Sequence, residues 1–178
     1  MEMFDIYNED GSSAAYAASR SDAHRRGLWH RTVHIWIVNN KGMLLLQKRS
    51  LDKETYPGYW DISCAGHIDA GESAIDAAIR ELSEELGLNV SSDLLLYLFT
   101  IRQQYKKMSP KIIDNEFSDV FLLRYDKEIS IGNNELTDLQ YVKVSQLTDG
   151  TVCPLAEHEE EYTMLQKRLK NSSKSDFN

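Results

Sequence analysis

One stretch of this chain restricts its fold more than any other. From Ala74 to Leu86, Ile75, Ile79, Leu82 and Leu86 follow the spacing of one helical face, and Gly87 stands where a C-terminal cap belongs. On that helix Glu84 and Glu85 come three and four residues after Glu81. The three carboxylates therefore share a sector of roughly 100°. Their ridge lies beside the stripe of Ile79 and Leu82 rather than opposite it, so packing the stripe on a sheet leaves the ridge along a cleft. Like charges at such spacings destabilise a helix by roughly a few tenths of a kcal/mol per pair, so helix stability does not account for the pattern. Magnesium, which takes oxygen ligands and joins carboxylates to phosphates, would relieve it. Three glutamates alone read first as a solvated face.

Around this helix the chain alternates strand and turn signals. Phe4 to Tyr7 reads as a short strand before the turn-forming Asn8-Glu9-Asp10-Gly11-Ser12, in an arm that runs to about Leu28. Thr32 to Val38, the turn Asn39-Asn40-Lys41-Gly42 and the apolar Met43 to Leu46 predict a hairpin. Trp60 to Ala65 reads as one short strand leading into Gly66, and Leu94–Arg102, Glu116–Tyr125 and Leu139–Val144 as further strands. A second helix is expected from about Glu157 to Leu169. Its Glu157, Glu159, Glu160 and Glu161 suit the positive end of the helix dipole, and together with His158 they read as a solvated face. Residues 171–178 are polar and expected to fray. Trp29, Trp36, Trp60 and Tyr105 are read first as core and second as stacking partners for a ligand.

The chain's 178 residues, 42% of them hydrophobic, suffice for one ordinary core. The expected division is an arm over 1–28, a domain over 29–170 and a tail over 171–178. A formal net charge of −8 argues against duplex nucleic acid as a partner. A small anionic ligand would need local cations or metal. Apolar runs such as Leu94 to Phe99 fall far short of the ~20 residues that span a bilayer, so no membrane partner is expected. The start of the chain, with Glu2 and Asp5, does not read as a secretory signal, which makes a cytoplasmic location the expectation. Cys64 and Cys153 read as reduced, buried thiols. Monomer and homodimer are both left open.

The stretch from Gly66 to Leu88, GHIDAGESAIDAAIRELSEELGL, fits G-x5-E-x7-R-E-U-x-E-E-x-G-U at every fixed position, where U is aliphatic. In this it resembles the Nudix box, and the chain is identified as similar to the Nudix hydrolases. The resemblance implies an α/β fold, an α/β/α sandwich with a mixed sheet and the box as loop-helix-loop. It implies a small diphosphate-containing substrate and Mg2+ or Mn2+ held by Gly66, Glu81, Glu84 and Glu85, with Glu84 and Glu85 the direct ligands. Arg80 would pair with Glu72 and keep the carboxylates in geometry. Which carboxylate acts as general base stays open.

Outside the box the chain resembles the branch that includes isopentenyl-diphosphate isomerases. The likeness rests on His24, His30, Lys48-Arg49, Lys53, Tyr56-Pro57-Gly58-Tyr59-Trp60, Gly66-His67 and Asp114-Asn115-Glu116. It implies a metal site at His24, His30, His67, Asp114 and Glu116, a donor set suited to manganese or zinc, and diphosphate binding by Arg49 and Lys53. Two departures count against isomerase chemistry. Ala65 stands where those enzymes carry a cysteine before the glycine-histidine pair, with Cys64 one residue earlier on the opposite face of a strand. The box glutamates, often degraded in the isomerases, are all present. The expectation is therefore a hydrolase. An isomerase-like enzyme and a non-catalytic ligand sensor are the alternatives, the latter disfavoured because no DNA-binding helix-turn-helix is visible.

Overall fold

In a computed structural model, residues 1–53, 56–108, 111–149, 152 and 158–171 are described. Nine strands and three helices follow one another: β1 (Met3–Tyr7), β2 (Ser13–Ser19), α1 (Arg20–Arg26), β3 (Trp29–Val38), β4 (Met43–Arg49), β5 (Trp60–Asp61), β6 (Cys64–His67), α2 (Ala74–Leu86), β7 (Leu95–Met108), β8 (Lys111–Arg124), β9 (Leu136–Lys143) and α3 (Glu159–Asn171). Among the described residues no helix is long and apolar enough to cross a membrane.

β3 organises the sheet. Along one edge Trp29–Val38 pairs in parallel with Asn115–Arg124 of β8, and along the other Thr32–Ile35 pairs antiparallel with β6. β7 adds to the outer edge of β8, giving the mixed sheet that the box resemblance implied. Strand alternation then sorts side chains into two layers. Val33, Ile35 and Ile37 join Ala77, Ala78, Leu82 and Leu86 of α2 in one core, whereas Trp36 and Val38 join Tyr162 and Leu165 of α3 in the other. The result is helix, sheet, helix. A third, smaller cluster of Phe4, Ile6, Ala18 and Ala23 ties the β1–β2 hairpin and α1 together.

α2 has the expected boundaries because both ends are capped locally. The Ser73 hydroxyl accepts from Asp76 N, and Gly87 takes a left-handed φ of 64° with its N–H donating to the Ser83 carbonyl while Leu88 N donates to the Leu82 carbonyl. A distant loop clamps the same end: Gly132 N donates to Glu85 O at 2.7 Å, and a Cβ on Gly132 would stand 2.8 Å from Glu84 O and 3.0 Å from Gly87 N.

Two expectations are corrected, and one helix is added. Trp60 to Ala65 is not one strand: β5 pairs with β4, whereas β6 pairs with β3. The division occurs at Ser63, whose hydroxyl accepts from Ile37 N at 2.9 Å and donates to Leu45 O at 2.6 Å, bridging β3 and β4 where their own pairing is confined to Val38 and Leu44. α1, which periodicity did not mark, is a short helix stopped by Gly27. In α3, Glu159 and Glu160 are exposed, but Glu161 is fully buried and His158 nearly so. Neither belongs to a solvated face, because both turn inward beneath β3. Cys153 and Glu157 lie outside the described residues.

Because the atoms around Gly132 are backbone and cannot rotate away, Gly132→Ala should destabilise the fold by about 1–3 kcal/mol through overpacking. Urea titration checks this; an unchanged midpoint would show that the clamp does not hold α2.

Candidate active site

β3 and β4 part beyond Val38, and a cavity of about 500 Å³ opens between their branches. Thr32 and His34 of β3, Ala65, Gly66 and His67 of β6, and Asp114 and Glu116 of β8 line one side, with Arg49 of β4 and Asp61 of β5 on the other. The ridge of α2 closes it with Arg80, Glu81, Glu84 and Glu85, and Lys53 also lines it.

At the ridge, Arg80 makes a bidentate pair with Glu72 (Nε to Oε1 3.0 Å, Nη2 to Oε2 2.9 Å) and donates to Glu81 Oε1 at 2.7 Å and to the His67 carbonyl at 2.9 Å. One guanidinium thus joins the loop, the helix and β6. Glu81 lies against Gly66 so closely that a Cβ there would fall within its carboxyl group. Burial pushes the Glu81 carboxyl up to about 7 although Arg80 opposes the shift. Burial, followed by the charge of Glu81, pushes Glu85 up to about 8. Glu85 Oε2 is buried with no hydrogen-bond partner, whereas the Glu84 side chain is 57% exposed at the mouth. Two crowded carboxyls, one with an orphaned oxygen, fit a hard divalent cation.

A second group converges at the other end. His24 of α1, His30 of β3, His67 of β6 and Asp114 of β8 each offer one ligand atom, all within 4.8 Å of one another. His24 Nε2 and His30 Nε2 stand 3.5 and 3.4 Å from Asp114 Oδ1, and Glu116 Oε1 lies 3.9 Å from His30 Nε2 and 3.8 Å from His67 Nε2. His30 Nδ1 donates to the Leu28 carbonyl at 2.9 Å, which leaves a lone pair on Nε2. Burial holds His30 below its ordinary value and His67 well below it, which favours the neutral form of both rings. His30 Nε2, His67 Nε2 and Asp114 Oδ1 are buried without hydrogen bonds. Neutral imidazoles and a carboxylate with unused ligand atoms fit a transition metal. Phe4 of the arm seals the cluster, stacked 4.5 Å from the His67 ring and 4.9 Å from the His30 ring.

Arg49 donates to Asp61 at 3.0 Å and Lys53 pairs with Glu135, both along the cavity wall. Cys64 is fully buried in the core beneath α2, its thiol pushed well up by burial and by Glu85, whereas Ala65 faces the cavity. Of the tryptophans, Trp36 is fully buried, Trp29 is nearly so, and Trp60 is half-buried beneath Lys48.

Sequence reasoning missed Arg20 and Glu135, which line the cavity, and a polar group formed by His34, Asp61, His158 and Glu161. His34 Nδ1 donates to Glu161 Oε2 at 2.7 Å and Trp36 Nε1 to Glu161 Oε1 at 2.8 Å, while His158 Nε2 lies 3.6 Å from Asp61. One signal was available: His30, Thr32 and His34 alternate with Val33 and Ile35 on a strand too apolar to have a solvated face.

The NUDIX domain model matches residues 28–166. The chain is 44% identical over 123 residues to Nudix hydrolase 3 of Arabidopsis thaliana, covering 68% of this chain but only 16% of that protein. It is 36% identical over 131 residues to isopentenyl-diphosphate Delta-isomerase 2 of Photorhabdus laumondii, covering 74% of this chain and 72% of the relative. A crystal structure of a Deinococcus radiodurans protein superposes with a TM-score of 0.72 at 22% identity, covering 91% of this chain and 98% of the other, and shares its fold.

Burial opposes a charge on His34, but the charge and hydrogen bond of Glu161, aided by Glu116 and Asp61, carry it from 6.5 up to about 9. Burial likewise opposes the charge on Glu161, yet His34 holds it below its ordinary 4.5. His34 therefore contributes stability that is complete below pH 6.5 and lost as pH rises through about 9, whereas Glu161's contribution is present above 4.5 and lost as pH falls below it. At pH 6, Glu161→Ala should cost about 3–5 kcal/mol by stranding a buried partner, against about 0.5 or less for Glu160→Ala. Equal costs in chemical denaturation, or a gap that persists unchanged above pH 9, would contradict the pairing.

Proposed function

The chain belongs to the Nudix family and is an enzyme of its pyrophosphohydrolase class, and from that premise we propose that it cleaves the diphosphate bond of a small organic or nucleoside diphosphate with Mg2+ or Mn2+ held by Glu81, Glu84, Glu85 and the backbone at Gly66. The observation that carries this reading is the half-buried Glu81 beside the buried Glu85, with carboxyls pushed up to about 7 and about 8 and Glu85 Oε2 left without a hydrogen-bond partner. A divalent ion bound there supplies charge to polarise a phosphoryl oxygen and to lower the pKa of water. The remaining work falls to side chains. Arg80 fixes Glu81 against Gly66 and ties it to Glu72, so the ligand oxygens are set before substrate arrives. Arg49 and Lys53 offer positive charge along the cavity wall for the phosphates, and across from Arg49 the small Ala65 lines the side formed by β3 and β6.

His24, His30, His67, Asp114 and Glu116 are proposed to hold a second ion, manganese or zinc, next to the first site. His24 comes from the arm over 1–28, which thereby serves the domain over 29–170.

The isomerase relative and this histidine group favour a second reading, in which the protein exchanges protons at carbon. The facing of Cys64 speaks against it: the thiol lies in the core, held protonated by burial, and nothing thiol-like stands at Ala65. Isopentenyl diphosphate incubated with protein and metal in deuterium oxide should therefore show no deuterium incorporation by NMR. Incorporation that vanishes in Cys64→Ser would replace the hydrolase with the isomerase.

Glu85→Gln preserves shape at a site where burial already disfavours the charged form, so circular dichroism should not change. Its kcat on an active diphosphate should fall about 10²-fold or more through lost metal charge. Retention of more than about a tenth of activity would remove Glu85 from the metal site.

A further inference from the structure

Two groups of titratable side chains share the even-numbered face of β3, and they differ in one decisive respect. Around His30 the ligand atoms point at a common space and, for His30, His67 and Asp114, carry no hydrogen bonds. Around His34 the corresponding atoms are taken. His34 Nδ1 is bonded to Glu161, both Glu161 oxygens are filled by His34 and Trp36, and His158 Nδ1 accepts from Gln103 Nε2 at 3.0 Å. The second group is a closed hydrogen-bond network rather than a metal site. Trp36 can only donate, and a fully buried carboxylate with two donors needs a compensating cation, which His34 supplies.

The placement of that cation sets it apart from the others along the cavity. Arg49, Lys53 and Arg80 all have carboxylate partners that line the cavity with them or border it: Asp61, Glu135, and Glu72 with Glu81. The counter-ion of His34 is instead behind it, under α3, and does not line the cavity. The pair is a dipole whose positive end faces the cavity, with Nε2–H the donor remaining once Nδ1 is committed to Glu161. Directly opposite His34 in the β3–β6 ladder is Ala65, so only a methyl group stands beside the imidazole, which lines the cavity although it is 4% exposed. The cavity that His34 lines is the one that Glu81, Glu84 and Glu85 of the box also line.

We propose that His34, clamped from behind by Glu161, is a substrate-binding residue that donates Nε2–H to a phosphate oxygen of the diphosphate. This rests on the hydrolase reading and adds a binding residue to the same site. His158 and Asp61 act as positioning residues: His158, tied to Gln103, stands edge-on to the His34 ring at 5.2 Å and keeps it from turning.

The test uses methylenediphosphonate, a diphosphate that cannot be hydrolysed, added with Mg2+ to the full chain carrying 15N-labelled histidine. The Nε2 and Hε2 resonances of His34 should shift on binding, while the Nδ1 proton held by Glu161 stays in place. The variant His34→Gln/Glu161→Gln, which keeps an amide pair in the core, should bind the diphosphonate about tenfold or more weakly by calorimetry, the loss of one charge-assisted hydrogen bond. Binding to wild-type protein with the His34 resonances unmoved would overturn the role of His34 and leave the hydrolase reading standing. So would unaltered affinity in a folded double variant. Wild-type protein that neither binds the diphosphonate nor releases phosphate from any diphosphate would overturn both.

Discussion

The ten residues of β3 pair with β8 along one edge and Thr32–Ile35 with β6 along the other, while Val33, Ile35 and Ile37 pack against α2 and Trp36 and Val38 against α3. A strand enclosed in this way has no freedom to slide, because a one-residue slip would exchange its two faces. The rest of the site inherits that fixity. His30, Thr32 and His34 are placed by β3, Gly66 and His67 by its antiparallel neighbour, and Asp114 and Glu116 by the hairpin of which its parallel neighbour is part. Groups from distant parts of the sequence are thus brought together by backbone pairing, and the side chains need only short reaches.

Against this frame the cavity concentrates charge of both signs in an acidic protein. Carboxylates outnumber the cations along its wall, and burial raises the free energy of ionising Glu81 and Glu85. Arg80 offsets only part of this cost, since it is shared among Glu72, Glu81 and the His67 carbonyl. Such a site carries more negative charge than its own cations offset, a condition that a hard divalent cation would relieve.

How much of this the sequence made legible follows from the range of each interaction. α2 was delimited correctly because Ser73, Gly87 and the apolar spacing all act within a few residues, and the box glutamates share that locality. The histidine group was legible only through family resemblance, since His24, His30, His67 and Asp114 come from four separate elements. Glu161 was misread for the opposite reason. Its neighbours Glu159 and Glu160 are indeed solvated, and nothing nearby distinguishes it from them; its partner His34 is 127 residues away. The division of β5 from β6 was hidden for a similar reason, because a side chain at Ser63 replaces pairing that backbone would otherwise provide.

That hydroxyl also acts as a spacer. Ser63 accepts from one branch and donates to the other at the point where β3 and β4 separate, so the angle at which the branches open depends on the length of a single Cβ–Oγ arm. The apex of a wedge governs the width of its mouth. Enzymes built on this frame could therefore admit broader or narrower substrates through a change at that apex, deep in the core, while every residue that touches ligand stays the same.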